Sequence, residues 1–377
     1  MELFIRRIKK GKNMKICYIA DANSPHSQRW IGYFVEKGHQ IDWISCSAPE
    51  GDLPDGVKFH KIKDSRLKAL KIVKNAIAVR RLVKKINPDI LHAHYAGVNG
   101  VLGWFCNFHP YIITAWGSDI LVAAQKPAIK ILIKKALASA SVVTSDALHL
   151  KDEMIKLGLS KNKIEIINFG VETDVFRPGT ADFGLQKKLR IQNIPSIISV
   201  RSLEPIYDVS TLLEAVAMVI GRIPAVKFII GGRGSYGSKL KDQAKDLGIE
   251  GNVIFVGFIP HGELYRWFRS VDVYVSTSLS DAGIAASTAE AMACGLPAVI
   301  SATAENNKWI ESNRNGFLFP AKNANKLAEI LIRLISNAEL CRKIGIAGRQ
   351  TIIEKNDYGN EMAKMEKLYE KLGSINK

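Results

Sequence analysis

The sequence contains no run of about 18 uncharged apolar residues, the length that a helix needs to span a bilayer, so no transmembrane segment is predicted. Its first 13 residues are basic and hold no apolar stretch of signal-peptide length, and Met14, where the first predicted strand begins, is a candidate natural start. Cysteine is scarce. The five Cys residues show no C-x-x-C spacing, which argues against a zinc or disulfide framework and favours a cytoplasmic protein with reduced thiols.

Apolar material is plentiful and follows an alternating order. The 377 residues, of which 47% are hydrophobic, are more than one core usually serves. Strand-like segments such as KICYIA and SIISVRS alternate with helical patterns, an order typical of parallel sheets wrapped by helices. We therefore predict an α/β fold of two Rossmann-like, doubly wound parallel-sheet domains that face a cleft. Residues 1–180 form the first domain and residues 181–355 the second, with a final helix at 356–377.

The net charge of +17 is uneven, because residues 1–180 contribute +12 and the rest of the chain +5. Two basic amphipathic stretches lie in the first domain, at residues 61–85 and 126–137. The first of them spaces its apolar residues roughly as one helical face: Leu67, Leu70, Val73, Ile77 and Leu82. Such helices can bind acidic lipid headgroups, and a solvated outer face is the alternative. Nucleic acid is not predicted as a partner, because no aromatic-studded basic platform accompanies the charge.

The most informative segment is SDAGIAASTAEAMACGLP at residues 280–297, where a glycine-containing loop runs into a small-residue helix with one carboxylate, Glu290. Backbone N–H groups at a helix start are unpaired, so a loop without bulky side chains lets a phosphate approach them. A carboxylate further along can accept hydrogen bonds from a ribose or a sugar. The alternative is a buried alanine-rich helix that ends at Gly295.

Arg201 follows the apolar strand residues IISV, so it lies at the carboxyl end of a buried strand, where ligands bind in open α/β sheets. A diphosphate suits the fork of donors of a buried arginine, and a salt bridge with Glu204 is the alternative. Further on, Gly232 opens a GxGxxG pattern of the kind found in nicotinamide and flavin enzymes. Because this pattern follows the second strand of its domain rather than the first, dinucleotide binding is not favoured.

Several segments, in order, resemble the retaining glycosyltransferase family 4 from Met14 to about Leu372. AEAMACGLPAVIS resembles the core motif of the family, VRSLEP its diphosphate segment, VKFIIGGRG and NVIFVGFIP the next two strands, and IINFGVETDVFRP the interdomain passage. The resemblance implies the GT-B fold, in which the final helix crosses back to the first, acceptor-side domain. It also implies transfer of a sugar from a nucleotide-diphosphate sugar to a glycan or lipid-linked acceptor, with retention at the anomeric carbon. Such an enzyme is expected in the cytoplasm, at the inner face of the membrane.

The resemblance assigns roles to individual residues. Arg201 neutralises the diphosphate, Glu290 holds the ribose and Asp281 contacts the donor sugar. His26 and Asp119, which follow strands of the first domain, complete the predicted catalytic set. The other predicted donor-binding residues are Gly232, the base loop Gly257, Phe258 and Ile259, and the helix-start residues Gly283, Ile284 and Ala285.

No cofactor and no metal are expected. The sequence contains no Asp-x-Asp to bridge a metal to the diphosphate, so Arg201 and helix N–H groups must stabilise the leaving group. His92 and His94 alternate along one predicted strand, and either a core role or a contact role is open for them. A zinc pair there would lack its third ligand.

Three segments depart from the usual pattern of the family. Ile206 stands where a lysine is usual and is followed by Tyr207 in place of glycine. Ala282 replaces the first glutamate of the usual pair, although the neighbouring Asp281 can supply a carboxylate, and Trp116 replaces a histidine. These changes indicate a subfamily with a different donor. They also keep two alternatives to transfer open: a nucleotide-sugar epimerase of the same fold, and a catalytically silent subunit that binds a nucleotide sugar.

Overall fold

The computed structural model describes residues 13–62, 71–281, 283–303 and 305–374. Over these residues strands and helices alternate, and the strands form two sheets in which all pairings are parallel. No helix within these ranges is long and apolar enough to cross a bilayer. The predicted α/β class with two parallel-sheet domains is thereby confirmed.

The chain divides into two units. Within the described residues, the first unit extends to Asn168 and resumes at Glu361, and the second is Phe169–Asn360. The first boundary therefore lies earlier than residue 180, where the sequence placed it. The polar stretch at residues 179–193 contains the first helix of the second unit.

The first sheet has seven strands. They are β1 (Lys15–Ile19), β2 (Gln40–Ser45), β3 (Lys58–Lys61), β4 (Ile90–His94), β5 (Tyr111–Ala115), β6 (Val142–Ser145) and β7 (Ile164–Ile166). Their order is β3-β2-β1-β4-β5-β6-β7, so the direction of winding reverses between β1 and β4. The sequence missed β3, because KFHK is a short, polar edge strand without the apolar run of its neighbours.

Helices cover both faces of this sheet. They are α1 (Pro25–Glu36), α2 (Lys71–Ile86), α3 (Val98–Cys106), α4 (Ser118–Leu121), α5 (Pro127–Ser139), α6 (Leu148–Lys156) and the C-terminal α15 (Tyr358–Gly373). Apolar residues of α2, α3, α5 and α6 share one core with alternate residues of the strands. Aromatic residues of α1 and α15 pack on the opposite face, where the ring of Phe34 lies 4.9 Å from that of Tyr369.

The second sheet has six strands. They are β8 (Ser196–Val200), β9 (Lys227–Gly231), β10 (Val253–Gly257), β11 (Val273–Ser276), β12 (Ala298–Ser301) and β13 (Phe317–Phe319). The order β10-β9-β8-β11-β12-β13 repeats the doubly wound arrangement, with the reversal between β8 and β11. The sequence also missed β13, whose three residues are too few to show a strand pattern.

The helices of the second unit fill both faces of its sheet. They are α7 (Phe183–Leu189), α8 (Val209–Ile220), α9 (Gly237–Asp246), α10 (Leu264–Phe268), α11 (Ala286–Ala293), α12 (Asn306–Trp309), α13 (Ala324–Ile335) and α14 (Ala338–Asn356). Asp182, Asn323 and Asn337 begin α7, α13 and α14, and each side chain accepts a hydrogen bond from the backbone N–H three residues on. Two apolar cores form, one on each side of the sheet.

Candidate functional site

The candidate site lies at the carboxyl edge of the second sheet, where its winding reverses. Arg201 directly follows β8, and residues 277–285 follow the neighbouring strand β11 and lead into α11. The chain leaves the carboxyl ends of β8 and β11 toward opposite sides of the sheet. This leaves a crevice between the two strand ends, which is where open α/β sheets bind ligands. The topology therefore brings together two segments that the sequence had selected separately.

Arg201 pairs with Asp281 across this crevice. Its Nη2 donates a hydrogen bond to the Asp281 carboxylate, and both side chains are largely buried. The guanidinium also stacks on the ring of Tyr207 at 4.4 Å. The alternative salt bridge with Glu204 is not formed, since the Glu204 carboxylate accepts bonds from Ser235 N–H at 2.7 Å and its hydroxyl at 2.5 Å. Two predicted site residues, far apart in sequence, thus form one ion pair.

The Arg201 guanidinium retains hydrogen-bonding capacity. Its Nε is buried and has no partner among the described residues. A buried, unpaired donor of this kind carries a desolvation cost that an anionic ligand would remove. Burial raises the pKa of Asp281 above its ordinary value, and the Arg201 charge acts in the opposite direction. Burial therefore favours the neutral carboxyl, whereas the ion pair favours the charged one.

The loop that carries Asp281 is fixed by the turn Pro205–Tyr207. The Thr277 hydroxyl donates to the Tyr207 carbonyl at 2.9 Å, and Leu279 N–H donates to the Ile206 carbonyl at 2.9 Å. The turn contains both positions at which the chain departs from the usual lysine and glycine. The departures therefore lie beside the ion pair rather than far from it.

Glu290 lies on α11 and is bound by a residue that the sequence did not single out. The His261 Nε2 and the Glu290 Oε1 are 2.7 Å apart. The Glu290 side chain is only 7% exposed, whereas that of His261 is 60% exposed. His261 opens a short turn, His261–Glu263, directly after the predicted base loop. The sequence did hold a signal for His261: it stands two residues after Ile259, a predicted contact, in the loop at the end of a strand.

The start of α11 has no side-chain cap. Its N-cap residue is Ala285, which has no side-chain hydrogen bond to the first turn. The helix is anchored by Tyr274 of β11, whose hydroxyl lies 2.8 Å from that of Ser287. Uncapped N–H groups at a helix start carry partial positive charge and suit an anion. Because α11 begins at Ala286, its unpaired N–H groups belong to the turn that starts there; Ala285 is the N-cap, and Gly283 and Ile284 lie in the loop before it, so their predicted contact with the donor stays a prediction.

Two glycines permit the close backbone approach that shapes the site. A Cβ on Gly232 would lie 1.9 Å from the Arg201 carbonyl oxygen, and Gly232 has a φ of +142°. Gly257 has a φ of +74°, in the left-handed region that favours glycine, at the turn into the base loop. The GxGxxG pattern at Gly232 follows β9, the second strand of its unit, which is the position that disfavours a dinucleotide fingerprint.

A cavity of about 280 Å³ opens among these segments. Its lining residues are Val200, Arg201, Ser202, Gly231, Gly232, Arg233, Phe258, Ile259, His261 and Leu264. A larger cavity of about 590 Å³ lies at the opposite, amino edge of the sheet, near Ser196, Asp272 and Pro297. We assign the ligand to the smaller cavity, because Arg201 and His261 line it and the carboxyl edge is where this topology binds ligands.

In the first unit, His26 lies at the start of α1, just after β1. Its exposed imidazole stacks on the ring of Trp116 at 5.6 Å with an interplanar angle of 27°. Trp116 directly follows β5 and packs edge-on against Trp30 at 5.2 Å. The contact role predicted for His26 stays a prediction, and its exposure is compatible with that role.

Asp119 has a different setting. It is 2% exposed, and its carboxylate accepts four backbone hydrogen bonds, from Ala96 at 2.7 Å, Gly117 at 3.0 Å, Ile120 at 3.1 Å and Trp116 at 3.3 Å. Burial raises its pKa above the ordinary value, against the opposing effect of these donors. The predicted catalytic role stays a prediction, and these contacts favour positioning of the loops after β4 and β5.

His92 and His94 are core residues. His92 is fully buried, with Nδ1 at 2.6 Å from the Tyr369 hydroxyl and Nε2 at 2.7 Å from the Thr114 hydroxyl. His94 Nδ1 lies 2.9 Å from the Ser27 hydroxyl, and burial lowers the pKa of His94 to about 3. Within the described ranges no group of three or more His, Cys, Asp or Glu side chains could hold a metal ion.

The class of protein follows from this fold and this site. Residues 184–351 match the family Glycosyl transferases group 1, and residues 15–147 match the family Glycosyl transferase 4-like. The chain belongs to these glycosyltransferases, it is an enzyme of that class, and its two Rossmann-like units define the GT-B fold. The family predicted from the sequence is confirmed, and the variant subfamily stays a prediction.

Individual relatives are distant. N-acetyl-alpha-D-glucosaminyl L-malate synthase of Bacillus anthracis is 23% identical over 349 residues, which cover 89% of this chain and 90% of the synthase. A GDP-mannose-dependent alpha-(1-6)-phosphatidylinositol monomannoside mannosyltransferase of Mycobacterium tuberculosis is 24% identical over 209 residues, 54% of each protein. The crystal structure of Anabaena HepE in complex with UDP has a TM-score of 0.81 at 18% identity and covers 95% of this chain and 100% of HepE. HepE has also been solved with UDP-glucose.

Proposed function

We propose that the enzyme transfers a sugar, with retention at the anomeric carbon and without a metal ion, from a nucleotide-diphosphate sugar to a glycan or lipid-linked acceptor. The observation that carries the proposal is the convergence of Arg201, Asp281, Glu290 and the uncapped start of α11 on one strand edge. These groups match the parts of a nucleotide sugar: cations and N–H groups for the diphosphate, and a carboxylate for the ribose hydroxyls.

In the proposed mechanism Arg201 exchanges partners. The donor diphosphate takes the guanidinium from Asp281, and the buried Nε gains an acceptor at the same time. Asp281 is then free to accept a hydrogen bond from a hydroxyl of the donor sugar. Arg201 and the N–H groups at the start of α11 stabilise the charge that builds on the leaving diphosphate, while the acceptor hydroxyl attacks the same face of the sugar.

His261 supports the ribose contact in this mechanism. It binds one oxygen of Glu290 and leaves the other oxygen for ribose hydroxyls. A nearly buried carboxylate held by one partner is oriented in advance, so less freedom is lost when the ribose binds. Phe258, which is exposed beside this pair, offers its ring to the nucleotide base.

The acceptor and the cellular position are also part of the proposal. We infer a glycan or lipid-linked acceptor and a cytoplasmic enzyme that works at the inner face of the membrane. The excess positive charge of the first 180 residues supports contact with an acidic surface. The three departures at Ile206, Ala282 and Trp116 support a subfamily with its own donor.

Donor binding is tested by thermal unfolding of the full chain with UDP-, GDP-, ADP-, CMP- and dTDP-sugars, because a ligand that binds only the folded state raises the Tm. We expect one nucleotide family to raise the Tm and Glu290→Ala to abolish the shift. The matched control is Glu214→Ala, which removes an exposed carboxylate from α8 and should leave the shift intact. No shift with any donor would overturn the proposed site.

The reaction is tested with the donor so identified. NMR of the product should show the anomeric configuration of the donor, and EDTA should leave the rate unchanged. Conversion of free nucleotide sugar without an acceptor would identify an epimerase instead. Nucleotide binding with no release of sugar under any acceptor would identify a silent subunit.

A further inference from the structure

Three neighbouring helices of the first unit expose both apolar and basic side chains. Helix α2 packs beside α3, and α3 beside α5, on the same side of the first sheet. Their outward side chains are defined here as the basic face. Its members are the apolar residues Val73, Ile77, Phe105 and Ile131, and the cations Lys74, Arg80, Arg81, Lys84, Lys85, Lys130, Lys134 and Lys135, all of them exposed.

The apolar members of the basic face are unusually open to solvent. Val73 is 53% exposed, Ile77 48% and Ile131 58%. Val73 and Ile77 belong to the apolar spacing seen in the sequence, whose other members Leu67 and Leu70 lie outside the described residues. The helix buries a different stripe, which consists of Ala76, Val79, Val83 and Ile86. Helix α2 therefore has one apolar stripe for the core and a second that the described unit leaves uncovered.

The charges around these apolar residues have one sign. Helices α2, α3 and α5 contain nine Lys and Arg residues and no Asp or Glu. On α2, Ile77 precedes Arg80, Arg81 and Lys84 by three, four and seven positions, which places them on the same side of the helix. On α5, Lys134 and Lys135 follow Ile131 at the same three- and four-residue spacing. Each exposed isoleucine is therefore bordered by cations.

We propose that the basic face docks on a bilayer that contains anionic lipid. The isoleucine and valine side chains enter the boundary between headgroups and acyl chains, and the long basic side chains reach the lipid phosphates around them. Each Lys or Arg near an acidic surface adds to the attraction, and the attraction falls as salt rises. Only the benefit of this docking, access to a lipid-linked acceptor, rests on the proposed function; the docking itself does not.

Lipid is favoured over nucleic acid because of the apolar members. A phosphate polymer would use the cations but would gain nothing from isolated aliphatic side chains, since it offers no acyl layer. A bilayer uses both. Binding to lipid should therefore weaken both when the cations and when the isoleucines are replaced, whereas binding to nucleic acid should weaken only when the cations are replaced.

The test is co-sedimentation of the full chain with phosphatidylcholine vesicles that do or do not contain phosphatidylglycerol. We expect binding to the anionic vesicles alone, weakened by salt. The double variant Ile77→Ser, Ile131→Ser should bind about tenfold more weakly, since two aliphatic insertions are lost. The matched control is Met218→Ser, Ile346→Ser, which removes two exposed apolar side chains from helices of the second unit and should bind like the parent.

A second variant tests the charges: Arg81→Glu, Lys84→Glu on α2 against Lys241→Glu, Lys245→Glu on α9, where only the first pair should abolish binding. The proposal is overturned if the parent chain does not sediment with anionic vesicles, or if the isoleucine variant binds as the parent does. Tight binding to RNA that ignores the isoleucines, with no vesicle binding, would identify a nucleic-acid surface instead. Every variant should keep the Tm shift with donor, so failure of docking and failure of the donor site are separate results.

Discussion

The two units share one topology and differ in where they place polar side chains. In the second unit, the edge between β8 and β11 holds charged groups around an open cavity: Arg201 lines it, and the nearly buried Glu290 is held by the exposed His261. In the first unit, the face of the sheet beside β1 and β4 is filled by Tyr18, Trp30, His92, His94 and Tyr369. The shared topology therefore does not decide where polar groups lie: they surround an open cavity at a strand edge in the second unit and are buried on a face of the sheet in the first.

The largest effect is expected when the charge of Arg201 is removed from the open edge of the second sheet. Arg201→Ala should lower kcat/KM by about 10²–10³-fold, because a donor aimed at developing charge is removed. Arg201→Lys should restore part of the rate, since the charge returns without the fork of donors. The control Arg233→Ala removes an exposed guanidinium from the same cavity and should cost far less. Equal effects at both arginines would contradict a special role for Arg201.

The first unit, which buries two histidines on one face of its sheet, should lose stability in acid before the second unit does. Burial lowers the pKa of His94 to about 3 and that of His92 well below its ordinary value. A histidine with a lowered folded-state pKa contributes stability above about pH 6.5, and this stability is lost as the pH falls toward the folded-state pKa. At pH 5 the loss is about 2 kcal/mol for His94, and His92 contributes in the same direction.

The measurement is hydrogen–deuterium exchange at pH 7.5 and pH 5, corrected for intrinsic rates and compared unit by unit. Peptides from β1, β4 and α15 should lose protection first. The variant His94→Gln should flatten the pH dependence, whereas His109→Gln, at an exposed position, should not. Equal loss of protection in both units would mean that the buried histidines do not set acid stability.

His261 is expected to affect donor binding rather than the chemical step, because it holds Glu290. Replacing it by Ala removes the partner of Glu290 and should raise KM for the donor about five- to tenfold, with kcat nearly unchanged, because a hydrogen bond from an exposed partner contributes about 1–1.5 kcal/mol. His261→Gln should recover much of the affinity. A fall in kcat with unchanged KM would indicate a role in the chemical step instead.

The smallest effect is expected at Asp281, which competes with the donor for Arg201. The variant Asp281→Asn should bind free nucleoside diphosphate about two- to fivefold more tightly, since the guanidinium is no longer paired. It should transfer sugar more slowly, because the proposed sugar contact is weakened. Isothermal titration with the nucleoside diphosphate measures the first effect. Weaker binding would mean that the carboxylate orients the arginine rather than opposing the ligand.

The sequence was most informative about elements with a long, regular pattern. The buried strands β1, β4, β5 and β8 are apolar runs that need no tertiary context, and the loop and helix at residues 280–297 were assigned correctly. The edge strands β3 and β13 were missed because strands this short are stabilised by pairing with a neighbour rather than by their own residues.

The site was predicted as single residues, and the pairs between them were not. Arg201 was assigned a diphosphate or Glu204 as a partner, yet it contacts Asp281, 80 positions away. The His261 contact with Glu290 likewise joins positions 29 apart. Such pairs depend on which strands are adjacent, and β8 and β11 are neighbours only because the sheet reverses its winding. Asp119 was selected because it follows a predicted strand, whereas its contacts depend on the backbone of two loops.

The first unit is completed by the C-terminal helix α15, so the order in which the chain is synthesised affects when this unit can fold. The hydroxyl of Tyr369, on α15, lies 2.8 Å from the hydroxyl of Tyr18 on β1 and 2.6 Å from the imidazole Nδ1 of His92 on β4. A ribosome releases β1 and β4 long before it reaches α15, so the first unit stays incomplete until α15 has been made. Translation therefore finishes the second unit first, and a nascent chain stalled before residue 360 would leave the Nδ1 of His92 without its Tyr369 partner.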